Sequence, residues 1–391
     1  MKPKHLSGVP EGKKCMKPVE SLVRDSVRGL KPCVHGAEVL DAAQESGLAA
    51  SEILDFSSSV NPLGASKKAL LAAKSSFREI PAYPDSNCNS LRSAIIEHFG
   101  RGLSEDNVVV GNGSTELMYL FAETFLRKGD VAVIPAPTFG EYENAVRKAG
   151  EMPRFVNLGK GFTVDTKTFG RMTGAKILFL CNPNNPTSML IPKDTLIDIV
   201  ERALKQDTLV FLDEDFLEFV EGERELSLIG SIDRFPNLFV LRSFTKIFGL
   251  TGLRVGYGIS SAKIVNALLC TKIPWNVNCI AQAAAIAALK DDKHLRVTRE
   301  LVKKEKAWLS AQLACFGDFR VFVPAANFFF IDVRKSGLTA GEIKKAVLHE
   351  GVLIRDCSSF RGLDQYYIRI AVKTHSENEL LIDALKKTVE R

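Results

Sequence analysis

The chain has 391 residues, of which 46% are hydrophobic, 25% charged and 8% aromatic, with a formal net charge of +6. This is the composition of an ordinary globular protein with ample core material; it excludes a disordered chain, and the mild basic excess suits an anionic small substrate while falling short of a nucleic-acid-binding signature. Eight cysteines without a C-x-x-C pair argue against a zinc site or disulfide framework, and no apolar run approaches the ~18 residues of a membrane span or a signal peptide's apolar stretch, so a metal-free cytoplasmic protein is expected.

Residues 1–31 carry eight Lys/Arg against three Asp/Glu and few bulky apolar groups, and read as a loosely held extension. The remaining length exceeds what one core usually supports. The expected division is a large domain over 76–289 and a smaller one built from 32–75 plus 290–391.

From about residue 107 to 260 short apolar runs alternate with polar turns and amphipathic stretches, the pattern of an α/β fold. The runs are 108–110, 131–134, 177–180, 209–212 and 238–241, each apolar on both faces, as buried and mostly parallel strands are. Ligands of open α/β sheets collect beyond the carboxyl ends of strands. Four such ends are unusually polar: Gly111 to Thr115, Asn182 to Pro186, Asp213-Glu214-Asp215, and Arg242 to Lys246. Past residue 290 the pattern changes to a charged helical stretch (291–315), followed by strands near 327–333 and 366–372.

Gly113-Ser114-Thr115 stands between a strand and a helix expected over 114–127, where small residues let backbone N–H groups close around a phosphate. A tight turn capped by Ser114 is the plainer alternative. Asp213 ends an apolar strand, where a carboxylate needs a compensating partner such as a pyridinium N–H, or caps the next segment. Lys246 follows Ser243 and Thr245, with Arg254 eight residues on: hydroxyls and a guanidinium for a phosphate, and an amine able to join an aldehyde. An exposed surface lysine is the alternative, and the flanking Phe244, Ile247 and Phe248 count against it.

Taken in order, the blocks Asn61-Pro62-Leu63-Gly64, Tyr83-Pro84-Asp85, Gly111 to Glu116, Pro137-Thr138-Phe139, Asn182 to Thr187, Asp213 to Phe219, Ser243 to Gly256 and Tyr367 to Val372 resemble the class I/II aminotransferases, especially the histidinol-phosphate aminotransferase branch. The resemblance implies a fold-type I pyridoxal 5'-phosphate (PLP) transferase, α/β, with a mostly parallel sheet and a smaller α/β domain. It implies that Lys246 joins the cofactor aldehyde, that Asp213 faces the pyridine nitrogen, that Asn185 lies near the ring oxygen and that Phe139 stacks on the ring. Gly113, Ser114, Thr115, Ser243, Thr245 and Arg254 would hold the phosphate. Tyr83 would reach it from a neighbouring subunit, hence a homodimer.

Within that branch the chain looks most like the threonine-phosphate decarboxylases of cobalamin biosynthesis, through His35-Gly36, Asp55-Phe56-Ser57, Pro274 to Asn278 and Leu353 to Phe360. These imply a small phosphorylated amino acid as substrate, held by His35, Asn61, Arg355 and Arg369. Phe216 stands where the aminotransferases present a tyrosine hydroxyl to the ring oxygen. Ser59 and Ser188 depart from the family's usual asparagine and glycine. Amino transfer from histidinol phosphate and decarboxylation of serine phosphate are the rival reactions, and a ligand-sensing module is the non-enzymatic one. Ser243-Phe244-Thr245-Lys246 also spells the S-x-x-K of acyl enzymes, without their K-T-G or S-D-N companions.

Overall fold

The computed structural model describes residues 19–28, 30, 32–100, 102–159 and 161–389. Most of the 1–31 extension therefore lies outside the described residues.

Seven strands form the main sheet: β1 (Val108–Gly111), β2 (Ala132–Ala136), β3 (Pro153–Asn157), β4 (Ile177–Cys181), β5 (Leu209–Asp213), β6 (Leu238–Ser243) and β7 (Gly256–Ser260), in the order β1-β7-β6-β5-β4-β2-β3. The ladders among β2 to β6 are parallel, while β7 runs antiparallel to both β1 and β6. All five expected runs are strands. The expectation of parallel pairing fails for the first of them, because β1 bonds only to β7. That strand and β3 went unread: Gly256-Tyr257-Gly258 looks like loop, yet a Cβ at Gly256 would lie 2.6 Å from Ser114 N. Glycine there lets the strand approach a helix start.

Alternation sorts each central strand into two cores. Leu178, Leu180, Val210, Leu212 and Val240 point to one face; Phe179, Phe211, Phe239 and Leu241 point to the other. Both faces are thus dry, which is why these strands read as continuous apolar runs. The first face is covered in part by α1 (Lys67–Ser75) packed on the helix Cys279–Leu289, through Ala69 and Ala73 against a row of buried alanines. Residues 67–75 therefore pack in the larger core, whereas the sequence reading placed them in the smaller unit.

The smaller unit is an antiparallel sheet, Arg355–Asp356, Tyr367–Ala371, Phe328–Asp332 and Arg320–Phe322 in that order. It packs on Ala340–His349, His375–Val389 and the C-terminal half of the long helix Asp292–Ala314. The short parallel pair Leu54–Asp55 with Val352–Leu353 ties residues 54–55 to it. No helix among the described residues is long and apolar enough to cross a membrane.

Candidate active site

The carboxyl ends of β4, β5 and β6 open onto one large cavity, whose other wall comes from residues 32–37, 57–60 and 355–363. Asp213 sits between Cys181 and Leu241 in the ladder, and is buried. Its Oδ2 accepts from Tyr142 Oη at 2.6 Å and its Oδ1 from Asp215 N at 2.9 Å. Burial, and then the neighbouring charge of Asp215, push its pKa up to about 7 against the Tyr142 hydroxyl. Such a carboxylate is held in place without a cation, and a pyridinium N–H supplies one. The bond to Asp215 makes it a turn cap, the plainer of the two sequence readings of Asp213.

Lys246 lines the same cavity, with Nζ 5.2 Å from the Phe216 ring centre. Burial lowers its pKa, Asp215 and Asp213 oppose that, and Arg369 and Arg254 add to it. An amine whose proton is loosened in this way is a nucleophile. The surface-lysine alternative does not apply.

At the corner where Gly111, Gly256 and Ser243 stand level in the ladder, α2 (Ser114–Phe125) begins. Its cap is Gly113, so Ser114 is the first helical residue and not the cap; no side chain takes the first-turn N–H groups, which leaves them to a ligand. Gly113 has φ +84°, and a Cβ there would lie 2.7 Å from Arg254 Nη2. Ser114, Thr115, Thr245 and Arg254 face the cavity around this corner. Arg254 itself is held at φ +59°, with Nη1 on Thr251 O at 2.9 Å. Strained backbone of that kind persists where surroundings over-determine it.

Behind the turns, Arg242 is fully buried and donates to Glu214 Oε2 at 2.8 and 2.9 Å from Nη2 and Nε; Glu214 also takes Ser227 Oγ and Leu228 N. Since Glu214 follows Asp213 and Arg242 precedes Ser243, this pair locks the ends of β5 and β6 together.

Arg369 and Asn185 meet: Nη1 donates to Asn185 Oδ1, Nη2 donates to Ser57 O at 2.5 Å, and Nε is buried without a partner. Burial pushes the Arg369 pKa down to about 10. Arg355 spends its N–H groups on His35 O, Val34 O and Ser359 Oγ at 2.7 to 2.9 Å, pinning residues 34–35 over the cavity. His35 Nε2 contacts Glu141 Oε1 at 2.9 Å and its ring lies 6.0 Å from that of Phe139, which lines the cavity.

Four expected residues are absent from the cavity wall: Gly113, which caps the helix Ser114–Phe125 beside it, and Asn61, Ser243 and Tyr83. Asn61 is engaged behind the wall: Nδ2 donates to Ile247 O at 2.6 Å and Thr298 Oγ1 at 3.0 Å, Oδ1 accepts from Leu63 N, and the side chain is absent from the cavity wall. It braces the Lys246 loop, a role its backbone shares through the bond from Asn61 N to Lys246 O. Ser243 is buried behind the wall, accepting from Thr245 N at 3.2 Å. Tyr83 is 81% exposed, stacked on Trp275 at 4.7 Å, and lies outside the cavity of its own chain. Conversely, the sequence gives Asp215 no role beyond its polar turn and does not single out Tyr142, which stands three residues after Phe139 with the two rings edge-on at 5.8 Å.

The chain belongs to the class I and II aminotransferase family, whose pattern matches residues 51–385. It is 34% identical to the histidinol-phosphate aminotransferase of Methanosphaera stadtmanae over 92% of this chain and 97% of that protein. Among solved structures it is similar to the histidinol-phosphate aminotransferase from Clostridium acetobutylicum (31% identity, TM-score 0.81, 86% of this chain and 99% of that one). It is also similar to L-threonine-O-3-phosphate decarboxylase from Porphyromonas gingivalis (27%, 0.77, 86% and 99%).

The protein is a PLP-dependent enzyme of fold type I. Its residues fit the cofactor: a glycine-lined helix start beside a guanidinium for the phosphate, a cationless buried carboxylate for the ring nitrogen, and a loosened lysine between them.

Proposed function

We propose that the enzyme decarboxylates L-threonine O-3-phosphate to (R)-1-amino-2-propanol O-2-phosphate. The observation that carries this reading is an arginine pair. Arg355 and Arg369 are direct cross-strand partners, both buried, and both line the cavity that holds Lys246. Like charges opposite one another in a ladder repel, and burial sharpens the repulsion. A substrate with two anionic groups relieves it better than one with a single group. Arg369, with Nε free and both Nη groups anchored, suits a carboxylate close to Lys246; Arg355, tied to residues 34–35, holds the wall and faces the phosphate side.

PLP, when bound, supplies an aldehyde that joins an amine and a ring that withdraws electrons from the bonds at the amine-bearing carbon. Lys246 offers the first amine and is displaced by the substrate's. Asp213 holds positive charge on the ring nitrogen, its carboxylate fixed by Tyr142. Arg369 would fix the substrate carboxylate and so select the bond to it for cleavage, with loss of carbon dioxide. Lys246, once displaced, would carry the proton that replaces the carboxylate on the α-carbon. Phe216 supports this reading, since it sets an apolar ring beside Lys246 where the aminotransferases resembling this chain carry a hydroxyl. The same proposal includes a homodimer, for Tyr83, exposed and outside its own cavity, suits service to a partner's cofactor phosphate.

Amino transfer from histidinol phosphate is the second reading, favoured by the name that most of the similar curated proteins bear. One assay separates the two. The holoenzyme with threonine phosphate is expected to release carbon dioxide, with serine phosphate run alongside; histidinol phosphate with 2-oxoglutarate is expected to yield no glutamate. Glutamate without carbon dioxide would overturn the proposal.

A further inference from the structure

Asp215 is a second buried carboxylate in the site, 8% exposed, lining the cavity with Lys246 and carrying an Oδ1 that has no hydrogen-bond partner. Asp213, two residues earlier, has both oxygens engaged, one of them by the Asp215 amide. Lys246 Nζ, for its part, makes no hydrogen bond or ion pair with any described residue, its recorded contact being the Phe216 face. An acid with one oxygen open and an amine without an ion pair thus line one cavity. Asp215 is otherwise bonded to Ser243, whereas Asp213 is bound through both oxygens and suited to the ring nitrogen.

We infer that Asp215 is a positioning residue: the counter-charge of the nitrogen at Lys246, keeping a proton on it when it is joined to the cofactor. The groups facing Asp215 are consistent with that role. Lys246 and Ser243 come from the segment ending β6, Arg242 and Arg254 lie further off, Asp213 precedes it on its own strand, and Glu218 and Cys181 flank it from the following turn and from β4. Arg242 is ion-paired with Glu214, Glu218 and Glu223, and Arg254 is turned to the Gly113 corner, while Lys246 has no ion pair with a described residue. Of the charges acting on Lys246, that of Asp215 is the largest, ahead of Asp213. With Phe216 offering no hydroxyl to compete, the nitrogen relies on this carboxylate. The inference concerns the cofactor-loaded enzyme before substrate arrives, so it stands whichever substrate is correct.

The test is a pH titration of the visible absorption of the holoenzyme without substrate, which reports protonation of the nitrogen at 246. Wild type is expected to stay protonated through neutrality. Asp215→Asn and Asp215→Ser remove the charge, and each is expected to weaken proton affinity about tenfold or more; Asp215→Glu is expected to restore most of it. A purely structural role predicts the opposite order, with the isosteric asparagine as the mild change. A wild-type midpoint well below neutrality, or an Asp215→Asn midpoint equal to wild type, would overturn the inference, and the first of these needs no variant to fold. Carbon dioxide release plays no part in the readout, so failure of the substrate proposal leaves this result interpretable.

Discussion

The two walls of the cavity are built on different principles. The cofactor wall consists of strand ends from one sheet, each followed within a few residues by its functional group: Asn185 after β4, Asp213 at the end of β5, Lys246 after β6, and Gly113 between β1 and the helix Ser114–Phe125. Arg242 and Glu214 tie those ends together behind the turns, and Asp215 Oδ1 is left open in front of them. The substrate wall joins segments more than 300 residues apart, as in the bonds from Arg355 to residues 34–35 and from Arg369 to Ser57. It also holds the unpartnered Arg369 Nε and Ser59 Oγ. Both walls thus keep buried polar atoms that a ligand completes; they differ in that one is fixed by the ladder of a single sheet and the other by bonds between distant segments.

Substitutions that strike one wall and spare the other sharpen this contrast. Lys246→Ala is expected to abolish turnover, by ~10⁴-fold or more, as loss of a covalent participant does, and to leave reversibly bound cofactor. Arg369→Ala is expected to lower kcat/KM roughly 10²- to 10³-fold, the scale for removing one partner of a buried charge pair, while the absorption spectrum of the resting enzyme survives. Equal damage to cofactor binding by both would erase the distinction between the walls.

Cofactor-free protein is expected to lose stability as pH rises from about 4 to about 7 through Asp213. In that window the folded chain still holds the Asp213 proton and the unfolded chain has released it, so the folded state binds more protons and unfolding becomes easier with pH. Bound cofactor, by giving the carboxylate a cation, is expected to remove this slope. Comparing Tm with and without cofactor at pH 5 and pH 7.5 checks it, and Asp213→Asn is expected to flatten the cofactor-free curve. Asn61→Ala is expected to cost ~1–3 kcal/mol of stability, since it strips a buried brace, and to leave substrate KM nearly unchanged. A large KM effect would return Asn61 to the substrate wall.

How much of this was legible in the sequence follows the same division. Strand ends announce themselves: an apolar run marks the strand and polar residues follow it, so the places of Lys246, Asp213, Asn185 and Gly113 at those ends follow from local reading. The antiparallel β7 escaped because two of its five residues are glycine, one required by contact with Ser114 N and one by the Phe239 ring, which a Cβ at Gly258 would meet at 2.0 Å. Asn61 and Ser243 were assigned to ligands because their motifs lie beside the site; their hydrogen bonds, made to Ile247 O and Thr245 N, are visible only in three dimensions. The pinning of residues 34–35 by Arg355 spans 320 residues and leaves no local pattern at all. Asp215 sat in a noted turn, yet nothing in the string tells an engaged carboxylate from a free one.

Reduction of the holoenzyme with borohydride, followed by peptide mapping, tests the central claim most directly. The cofactor is expected to be found fixed to the side chain at position 246, in one equivalent per chain. Label on another lysine, or none on a protein that has taken up cofactor, would contradict the account.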